Sequence, residues 1–280
     1  MDHSNHSNTY IPRAAKIIEI KEEVRGARAI KTFRTQFVDN DAPPFGHRCG
    51  QCAMLSIFGK GESMISISSS PLVKEYLQFS VLKTGRVTTA LHELQESDVI
   101  GIRGPYGNGF PIDDWKGKNL IFIGGGIGLA PIWSVFQTAL GRKEEFGDLM
   151  LIYGSRTSKD LVFADELKKL KEELPVHLSV DVEEPGWEEF VGFVPNNVLD
   201  KKPSAKNAIT VTCGPPIMIK FVIKALKELG FEDKQIYTTV ENKMKCGIGK
   251  CGRCNIGPHY VCKDGPVYSW AELKDLPQEY

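Results

Sequence analysis

Four of the seven cysteines in this 280-residue chain lie close together near its carboxyl end. Intervals of four, two and seven residues separate them, and they are Cys246, Cys251, Cys254 and Cys262. Three closely spaced cysteines followed by a later fourth are typical of the thiolate ligands of a [2Fe–2S] cluster. Gly247, Gly249 and Gly252 lie between the ligands and allow a tight turn whose amides can point at sulfur. We therefore expect a small iron–sulfur lobe over residues 241–280.

Two other uses of four cysteines remain open from spacing alone. A structural zinc site also takes four thiolates, although zinc ribbons usually arrange them as two separate C-x2-C pairs. Disulfide bonds need an oxidising compartment, and residues 1–9 have neither the basic start nor the apolar stretch of a secretion signal. The spacing favours the cluster, and the amino-terminal sequence predicts a flexible tail over residues 1–13 and a cytoplasmic location.

Length and charge limit the classes of function. A chain of this length predicts more than one domain. Basic and acidic residues number 35 each, so no net charge attracts nucleic acid or an anionic membrane. The apolar run 120–136 is interrupted by three consecutive glycines and by Pro131, which predicts a strand, a turn and a helix. We expect no nucleic-acid partner and no membrane span.

The first third of the chain contains short β-branched segments separated by Gly and Pro. This pattern predicts an antiparallel β-barrel over residues 14–115, with one helix at 87–94. The predicted strands are 16–20, 29–38, 53–58, 64–68, 76–81 and 98–102. Ser66 and Ser68 place small hydroxyls where a flat ligand could bind. Gly85, Thr88 and Thr89 open the helix, where free amides suit a diphosphate, although capping the helix is the ordinary use of such a threonine.

The middle of the chain alternates between apolar strands and helical stretches. Strands at 119–123, 149–153, 176–180 and 208–212 and helices at 132–140, 164–174 and 217–229 predict an α/β parallel-sheet domain over residues 116–240. A nucleotide is expected at the carboxyl ends of these strands. The first strand runs into Gly124, Gly126 and Gly128, whose amides could approach a pyrophosphate.

The order of several motifs resembles a known superfamily. The motifs are S-I-S-S-S-P at 66–71, G-R-V-T-T at 85–89, G-P-Y-G-N-G-F at 104–110, G-G-G-I-G-L-A-P at 124–131 and C-G-P-P at 213–216, followed by the cysteine quartet. In this order, over about residues 14–270, the chain resembles the ferredoxin-NADP reductase superfamily. Within it, the chain is similar to the flavin and iron–sulfur subunits of cytoplasmic hydrogenases and sulfhydrogenases, anaerobic sulfite reductase and dihydroorotate dehydrogenase.

This resemblance implies two further cofactors and their sites. FAD would be lined by Ser66, Ile67, Ser68, Gly85, Thr88 and Thr89. NAD(P) would be bound by the three glycines above with Arg156 and Gly214, and Cys213 would be the catalytic residue where the nicotinamide approaches the flavin. The superfamily's usual R-x-Y-S reads Ser63-Met64-Ile65-Ser66 here, which leaves the choice between FAD and FMN open. Arg156 could equally be a solvated loop residue, and Pro216 could simply mark a helix start.

The resemblance also implies a function. The chain would pass electrons between NAD(P)H, FAD and a [2Fe–2S] cluster, to or from the catalytic and iron–sulfur subunits of a larger redox complex. The short C-x7-C ending favours the hydrogenase or sulfite reductase type over the dihydroorotate dehydrogenase type. A redox sensor without sustained turnover is the other class to consider. Cys49 and Cys52 form a C-x-x-C motif that leads into a strand, where buried incidental cysteines are more usual than a redox pair.

Overall fold

The computed structural model describes residues 10–39 and 45–277, so most of the predicted tail lies outside the described residues. Within them the chain forms two sheets and a small carboxyl-terminal lobe. None of the helices in these residues has the length and apolar character needed to cross a membrane.

The first sheet contains six antiparallel strands. The predicted helix is present and lies between the fifth and sixth strands in sequence. The elements are β1 Arg13–Val24, β2 Ile30–Phe37, β3 Cys52–Ile57, β4 Gly61–Ser66, β5 Leu77–Leu82, α1 Arg86–His92 and β6 Val99–Tyr106. The strand order is β4-β3-β6-β1-β2-β5, and the end strands β4 and β5 contact each other. Fully buried side chains such as Phe33, Leu55 and Phe79 fill the interior. The sheet therefore curls into the predicted barrel.

The second sheet is the predicted nucleotide fold with additions. Its elements are β7 Asn119–Gly125, α2 Leu129–Gly141, β8 Leu149–Ser155, α3 Ala164–Leu170, β9 Val176–Val180, β10 Phe190–Val191, α4 Val194–Lys201, β11 Ala208–Cys213, α5 Pro216–Glu228 and β12 Ile236–Thr239. The six strands run parallel in the order β10-β9-β8-β7-β11-β12. Helices α2 and α3 pack in one apolar core and helices α4 and α5 in another, so both faces are covered, as expected for such strands.

The cluster lobe is small but is tied into the second sheet. It contains β13 Asn255–Ile256, β14 His259–Tyr260, α6 Val261–Asp264, β15 Val267–Ser269 and α7 Trp270–Leu273. Strand β15 pairs antiparallel with β12 and becomes the seventh strand of that sheet. Val240, Val261, Tyr268 and Leu273 pack around Cys254 and Cys262 in a core of the lobe's own. The boundaries 14–115, 116–240 and 241–280 stay predictions, because β15 joins the last two segments.

Asn108 connects the end of the barrel to the cluster lobe. Its side-chain amide donates to the carbonyls of Asp264 at 2.9 Å and Val267 at 2.7 Å. Its carbonyl oxygen accepts a hydrogen bond from the Val267 amide at 2.9 Å. The Asn108 amide also donates to the Gly265 carbonyl. One side chain thereby satisfies three backbone groups of the lobe, which would otherwise lack partners.

We expect replacement of Asn108 by alanine to lower the free energy of unfolding by about 2 kcal/mol, because three hydrogen bonds are lost at about 1 kcal/mol or less each. Chemical denaturation of the purified protein measures the change. Asn196→Ala is the matched control, because Asn196 is exposed on α4. Equal stability of the Asn108 variant and the control would contradict this role.

Candidate electron-transfer site

The loop that carries three of the four cysteines, residues 244–254 and hereafter the cluster loop, curls around sulfur atoms. Gly247, Gly249 and Gly252 have φ angles of 81°, 71° and 70°, a left-handed conformation that favours glycine. The amides of residues 248, 250 and 251 donate to the Cys246 Sγ at 3.5, 3.3 and 3.4 Å. The Gly249 amide donates to the Cys262 Sγ at 3.2 Å. The expected turn with amides directed at sulfur is therefore present.

The four thiols form one connected set. The Cys246 thiol interacts with that of Cys251, and the Cys262 thiol with those of Cys254 and Cys246. Burial raises the pKa of Cys246, but three backbone donors outweigh it and lower that pKa to about 6. Burial, opposed by the Gly249 amide and reinforced by the neighbouring thiols, raises the pKa of Cys262 to about 12. Four convergent thiols with amide donors at sulfur are the donor set that an iron–sulfur cluster requires.

Two further structural findings concern the quartet. All seven cysteines are free thiols, so the structure contains no disulfide between them. In the parts of the chain that the structure describes, no three or more His, Cys, Asp or Glu side chains are arranged to hold a metal ion as they stand. Cys254 and Cys262 are each 1% exposed, whereas Cys251 is exposed. The quartet thus has an inner side and a solvent side.

Arg103 holds the cluster loop against the barrel. It lies in β6 and is only 5% exposed. Its guanidinium makes two hydrogen bonds to the Glu62 carboxylate, at 2.7 and 2.8 Å, and donates to the Tyr106 hydroxyl at 2.7 Å. It also donates to the backbone carbonyls of Lys245 at 3.0 Å and Cys246 at 2.9 Å. The rigid, permanently charged fork of arginine allows one side chain to fix all of these groups.

Tyr106 and Gly247 show how closely the barrel and the cluster loop approach. A Cβ atom on Gly247 would lie 2.8 Å from three atoms of the Tyr106 ring. Tyr106 packs with Cys52 and Met54 of β3, and Ile248 of the cluster loop packs against them. Apolar side chains therefore surround Arg103 and its hydrogen-bonded partners at this contact.

The C-x-x-C motif lies beside this contact. Cys49 and Cys52 are both buried, and burial raises their pKa values to about 11 and about 12. The proximity of Cys262 and Cys254 raises the pKa of Cys52 further. Both thiols are therefore neutral near pH 7, unlike the low-pKa thiol of a redox-active pair. Cys52 is also the cross-strand neighbour of Ser66 and of Tyr106, so it lies between the predicted flavin strand and the cluster loop.

The serine run has mostly internal hydrogen bonds. Ser68 is fully buried, and its amide and hydroxyl both donate to the Gln78 carbonyl. The Ser69 carbonyl accepts from the Ser134 hydroxyl, and the Ser70 hydroxyl pairs with Thr138, which joins the barrel to α2. Ile67 is fully buried as well. Among the described residues of this serine run, the half-buried Ser66 hydroxyl makes no hydrogen bond to the protein.

The predicted diphosphate segment surrounds a cavity. The Thr88 hydroxyl accepts from the Gly85 amide at 2.8 Å and donates to the Gly85 carbonyl at 3.0 Å, which is a capping role. Thr89 instead lines a cavity of about 420 Å³ together with Gly59, Lys60 and Arg86. The Arg86 guanidinium donates to the Gly59 carbonyl at 3.0 Å. Lys60 and Arg86 therefore lie beside the predicted diphosphate position together with one carboxylate, Glu93, which also lines the cavity. No sequence motif had indicated Lys60.

The predicted nucleotide residues meet at one edge of the second sheet. Strands β7 and β11 are adjacent, and Gly124 lies opposite Cys213. A Cβ atom on Gly128 would lie 2.5 Å from the Cys213 carbonyl oxygen, so the two turns touch backbone to backbone. The chain proceeds outward from β7 through β8 and β9 and then returns to β11 on the other side of β7. Such a reversal point is where nucleotides bind in open α/β sheets.

Tyr153 positions the glycine turn. The side chain is fully buried, its hydroxyl donates to the Gly126 carbonyl at 3.0 Å, and it accepts from the Val162 amide at 3.1 Å. Arg156 is exposed just beyond β8 at the same sheet edge, where its charge acts on Asp181. The structure thus brings the glycines, Cys213, Gly214 and Arg156 to one edge, but among the described residues it gives the Arg156 side chain no hydrogen bond.

Cys213 is hydrogen-bonded to the end of β12, next to the cluster lobe. The Thr239 hydroxyl donates to the Cys213 Sγ at 2.9 Å. Burial raises the pKa of Cys213 to about 12, so the thiol is neutral at physiological pH. The sequence analysis missed Thr239, Tyr153 and Arg103. For Arg103 there was a signal, because a charged residue in the otherwise apolar segment 99–106 indicates a buried partner.

Replacement of Arg103 by methionine should release the cluster loop. We expect a loss of about 2 kcal/mol in stability and an iron content below half that of the unchanged protein. The buried guanidinium loses its hydrogen bonds to Tyr106 and to two loop carbonyls, while the exposed Glu62 keeps its hydrogen bond from Ser56 and adds little. Iron analysis and denaturation check this. Arg34→Met is the control, because Arg34 pairs with Glu19 on the barrel without reaching the cluster loop. Full iron content in the Arg103 variant would contradict the role.

Replacement of Tyr153 by phenylalanine removes two hydrogen bonds but keeps the ring. We expect about five-fold weaker NAD(P) binding, which corresponds to about 1 kcal/mol for a loosened glycine turn. Calorimetric titration with NADH and NADPH measures the affinity. Tyr76→Phe, a change on the barrel, should leave the affinity as it is. Unchanged affinity in both variants would show that Tyr153 does not position a nucleotide site.

Two protein-family profiles match the chain. Residues 122–224 match the oxidoreductase NAD-binding domain. Residues 241–274 match the iron-sulfur cluster binding domain of dihydroorotate dehydrogenase B. The matches coincide with the glycine-rich sheet edge and with the cysteine quartet, and the second assigns the quartet to an iron–sulfur cluster rather than to zinc or disulfides.

Similar proteins extend over almost the whole chain. Sulfhydrogenase 1 subunit gamma of Pyrococcus furiosus is 39% identical over 257 residues, which cover 88% of each chain. A probable dihydroorotate dehydrogenase B (NAD(+)) electron transfer subunit of the same organism is 35% identical over 91% of each chain. An NADH-dependent reduced ferredoxin-NADP oxidoreductase structure has the same fold, with a TM-score of 0.72, 23% identity and coverage of 95% of this chain and 90% of that one. The chain therefore belongs to the family that includes the gamma subunits of sulfhydrogenases and the electron-transfer subunits of dihydroorotate dehydrogenase B.

Proposed function

We propose that this chain is the electron-transfer subunit of a redox complex and connects NAD(P)H, through FAD and a [2Fe–2S] cluster, with a catalytic partner subunit. The contact between the barrel and the cluster loop is the observation that carries the proposal. Cys52 lies across the strand from Ser66 and beside the cluster thiols. In the proposal the flavin lies on the Ser66 side of Cys52 and the cluster on its other side, and a short distance between them favours electron transfer.

Different residues of the chain would hold the flavin and the cluster. In the proposal, Ser66, Thr89, Lys60 and Arg86 hold the flavin, and the last two supply the positive charge that the missing R-x-Y-S arginine would have given. Ser68 and Thr88 support that site through internal hydrogen bonds. Cys246, Cys251, Cys254 and Cys262 hold the iron. When bound, the nicotinamide exchanges a hydride, the flavin exchanges electrons in pairs or singly, and the cluster exchanges single electrons.

The nucleotide site needs no acid or base from the protein. Gly126 leaves the backbone open to a pyrophosphate, Gly124 and Gly128 let the turn pack closely against its neighbours, and Tyr153 fixes the turn. Cys213 and Gly214 provide a small surface for the nicotinamide, and the Thr239 hydroxyl holds the neutral Cys213 thiol in place. The side chains position the reactants, which is the protein's main contribution in cofactor enzymes.

The class of partner subunit is inferred from the proteins that are similar to this chain. Identity to the gamma subunit of a sulfhydrogenase, 39%, is higher than to a dihydroorotate dehydrogenase B electron transfer subunit, 35%. This supports a partner of the hydrogenase or sulfite reductase type, with the dihydroorotate dehydrogenase type as the second candidate because of the matching cluster domain. Thiolate ligands and free cysteines suit a reducing compartment, so we place the protein in the cytoplasm. The domain boundaries 14–115, 116–240 and 241–280 belong to the same proposal.

Replacement of Cys254 by alanine tests the order of electron flow. Loss of one ligand should remove the visible absorption of the cluster and at least about 90% of electron transfer to one-electron acceptors, while NAD(P)H still bleaches the bound flavin. Anaerobic absorption spectroscopy follows both events. Loss of flavin bleaching in a variant that retains its flavin and its circular dichroism would refute the proposed order.

Cys49→Ala is the matched control for this experiment. Cys49 is as buried as Cys254, at 2% against 1% exposed, but it lies outside the quartet. The control should keep the cluster spectrum and the electron transfer. Steady NAD(P)H oxidation by the unchanged protein with an artificial acceptor distinguishes the proposed subunit from a redox sensor, which would show scarcely any.

A further inference from the structure

Phe58 has the highest fractional exposure of the large apolar side chains in the described part of the chain. It is 104% exposed, so its ring contacts almost nothing in the protein. It lies in the turn between β3 and β4, where the Lys60 amide donates to the Ile57 carbonyl at 2.9 Å. Gly59, the third residue of this turn, has a φ of 73°, as a type II turn requires. Such a turn needs the glycine but no aromatic residue before it, so the local fold does not account for Phe58.

This turn forms one wall of the cavity of about 420 Å³ beside α1, hereafter the hairpin cavity. Six residues line it, namely Gly59, Lys60, Arg86, Thr89, Ala90 and Glu93. The Arg86 guanidinium donates to the Gly59 carbonyl at 3.0 Å, which holds the turn against α1. Small-molecule sites have volumes of about 300–1,000 Å³, so the cavity has the size of a ligand site. Phe58 directly precedes Gly59 in the chain, so its exposed ring lies within reach of the cavity.

Most polar side chains of the hairpin cavity lack partners in the protein. Within residues 10–39 and 45–277, the side chains of Lys60, Thr89 and Glu93 make no hydrogen bond, and neither Lys60 nor Glu93 enters an ion pair. The Arg86 guanidinium has only its bond to Gly59. Lys60, Arg86 and Glu93 are also exposed. The cavity therefore offers two cations and one carboxylate whose hydrogen-bonding capacity is free for a ligand.

A diphosphate accounts for Lys60 and Arg86 but not for Glu93 and Phe58. The Glu93 carboxylate would repel a phosphate group, and the apolar ring of Phe58 offers a phosphate no hydrogen bond. A purine base accounts for both residues, because its flat face stacks on an aromatic ring and its amino group donates to a carboxylate. The hairpin cavity and Phe58 together therefore have the features of a site for a base joined to phosphates, which is the adenosine diphosphate half of FAD.

The position of the hairpin cavity relative to Ser66 agrees with this assignment. Strand β4 begins at Gly61 beside the turn and ends at Ser66, which belongs to the flavin site of the proposed function. At about 3.3 Å for each residue, the two ends of the strand are about 17 Å apart. FAD continues past its first phosphate to a second phosphate and an adenosine, whereas FMN ends at its first phosphate. The far end of β4 is therefore where the additional half of FAD would lie.

We propose that Phe58 and Glu93 form the adenine site of the flavin cofactor. The Phe58 ring stacks on the adenine, the Glu93 carboxylate accepts a hydrogen bond from its amino group, and Lys60 and Arg86 bind the phosphates. This inference rests on the proposed function and identifies the residues that select FAD over FMN. Phe58 and Glu93 lie outside every sequence motif that carries the resemblance, so neither was among the predicted flavin residues.

Flavin affinities of the full-length protein, freed of bound flavin by dialysis against a chaotropic salt, test the role of Phe58. FAD and FMN are titrated by fluorescence into the unchanged protein and into Phe58→Ala, and circular dichroism checks that each protein is folded. We expect the unchanged protein to bind FAD at least about ten-fold more tightly than FMN. Phe58→Ala should bind FAD about ten-fold more weakly and FMN within about two-fold of the unchanged protein, because only FAD loses a stacked base.

Two further variants control this experiment. Phe58→Tyr keeps a flat ring and should bind FAD as tightly as the unchanged protein does. Phe193→Ala removes another exposed phenylalanine, 62% exposed and located just before α4, and should leave both flavin affinities unchanged.

Flavin hypoxanthine dinucleotide tests Glu93 separately. In this analogue of FAD a carbonyl oxygen replaces the amino group of adenine, so the carboxylate of Glu93 meets an acceptor instead of a donor. We expect the unchanged protein to bind the analogue about ten-fold more weakly than FAD, and Glu93→Ala to bind the two within about two-fold of each other. Glu144→Ala, a change of an exposed carboxylate outside the cavity, should keep the preference of the unchanged protein. Equal affinity of the unchanged protein for FAD and the analogue would remove Glu93 from the site.

Three results would overturn the adenine site. One is equal affinity of the unchanged protein for FAD and FMN. Another is a Phe58→Ala variant that binds FAD as tightly as the unchanged protein, which would leave the exposed ring for a partner subunit instead. The third is equal weakening of FAD and FMN in that variant, because this would reflect a distorted hairpin and not a lost stack. If the unchanged protein binds neither flavin, the proposed function fails too, whereas equal binding of both flavins overturns the adenine site alone.

Discussion

The architecture depends on the attachment of a small cysteine-rich lobe to the flavin-type barrel through Arg103. The lobe alone has a core of few residues and could not hold its loop in a fixed place without a metal centre or outside support. One buried guanidinium supplies that support by joining Glu62 and Tyr106 of the barrel to two carbonyls of the cluster loop. Asn108 adds a second attachment nearby, and β15 a third on the nucleotide sheet. The barrel, the nucleotide sheet and the lobe thereby meet around a common region.

The barrel, the sheet and the lobe each contribute a different part of the candidate site around this region. The sheet edge between β7 and β11 presents glycines where a nucleotide binds, and Cys213 there is hydrogen-bonded to Thr239, next to the lobe. The barrel presents Ser66 across from Cys52, which is close to the inner cluster thiols. The outer thiol, Cys251, reaches solvent. In the proposed function electrons cross the protein between the nucleotide edge and the solvent side of the quartet.

Much of this fold and of the candidate site was predictable from the sequence. The rest was not, and the reasons are physical. The cysteine spacing, the glycine turns and the alternation of strands and helices depend on local geometry, so they predicted the quartet, the barrel and the parallel sheet. Strand β15 was missed because its three residues become a strand only by pairing with β12. The hydrogen bonds that Ser69 and Ser70 make with α2 were not predicted, because they join residues far apart in sequence. Partners of that kind leave no local pattern.

Electron paramagnetic resonance after anaerobic mixing with NAD(P)H tests the central claim most directly. Samples of the isolated, fully loaded protein are frozen at increasing times and the spins are counted. The account predicts a [2Fe–2S] signal that rises with flavin bleaching and approaches one spin for each chain. Bleaching of the flavin with no cluster signal at any time, in protein that contains its full iron, would contradict it.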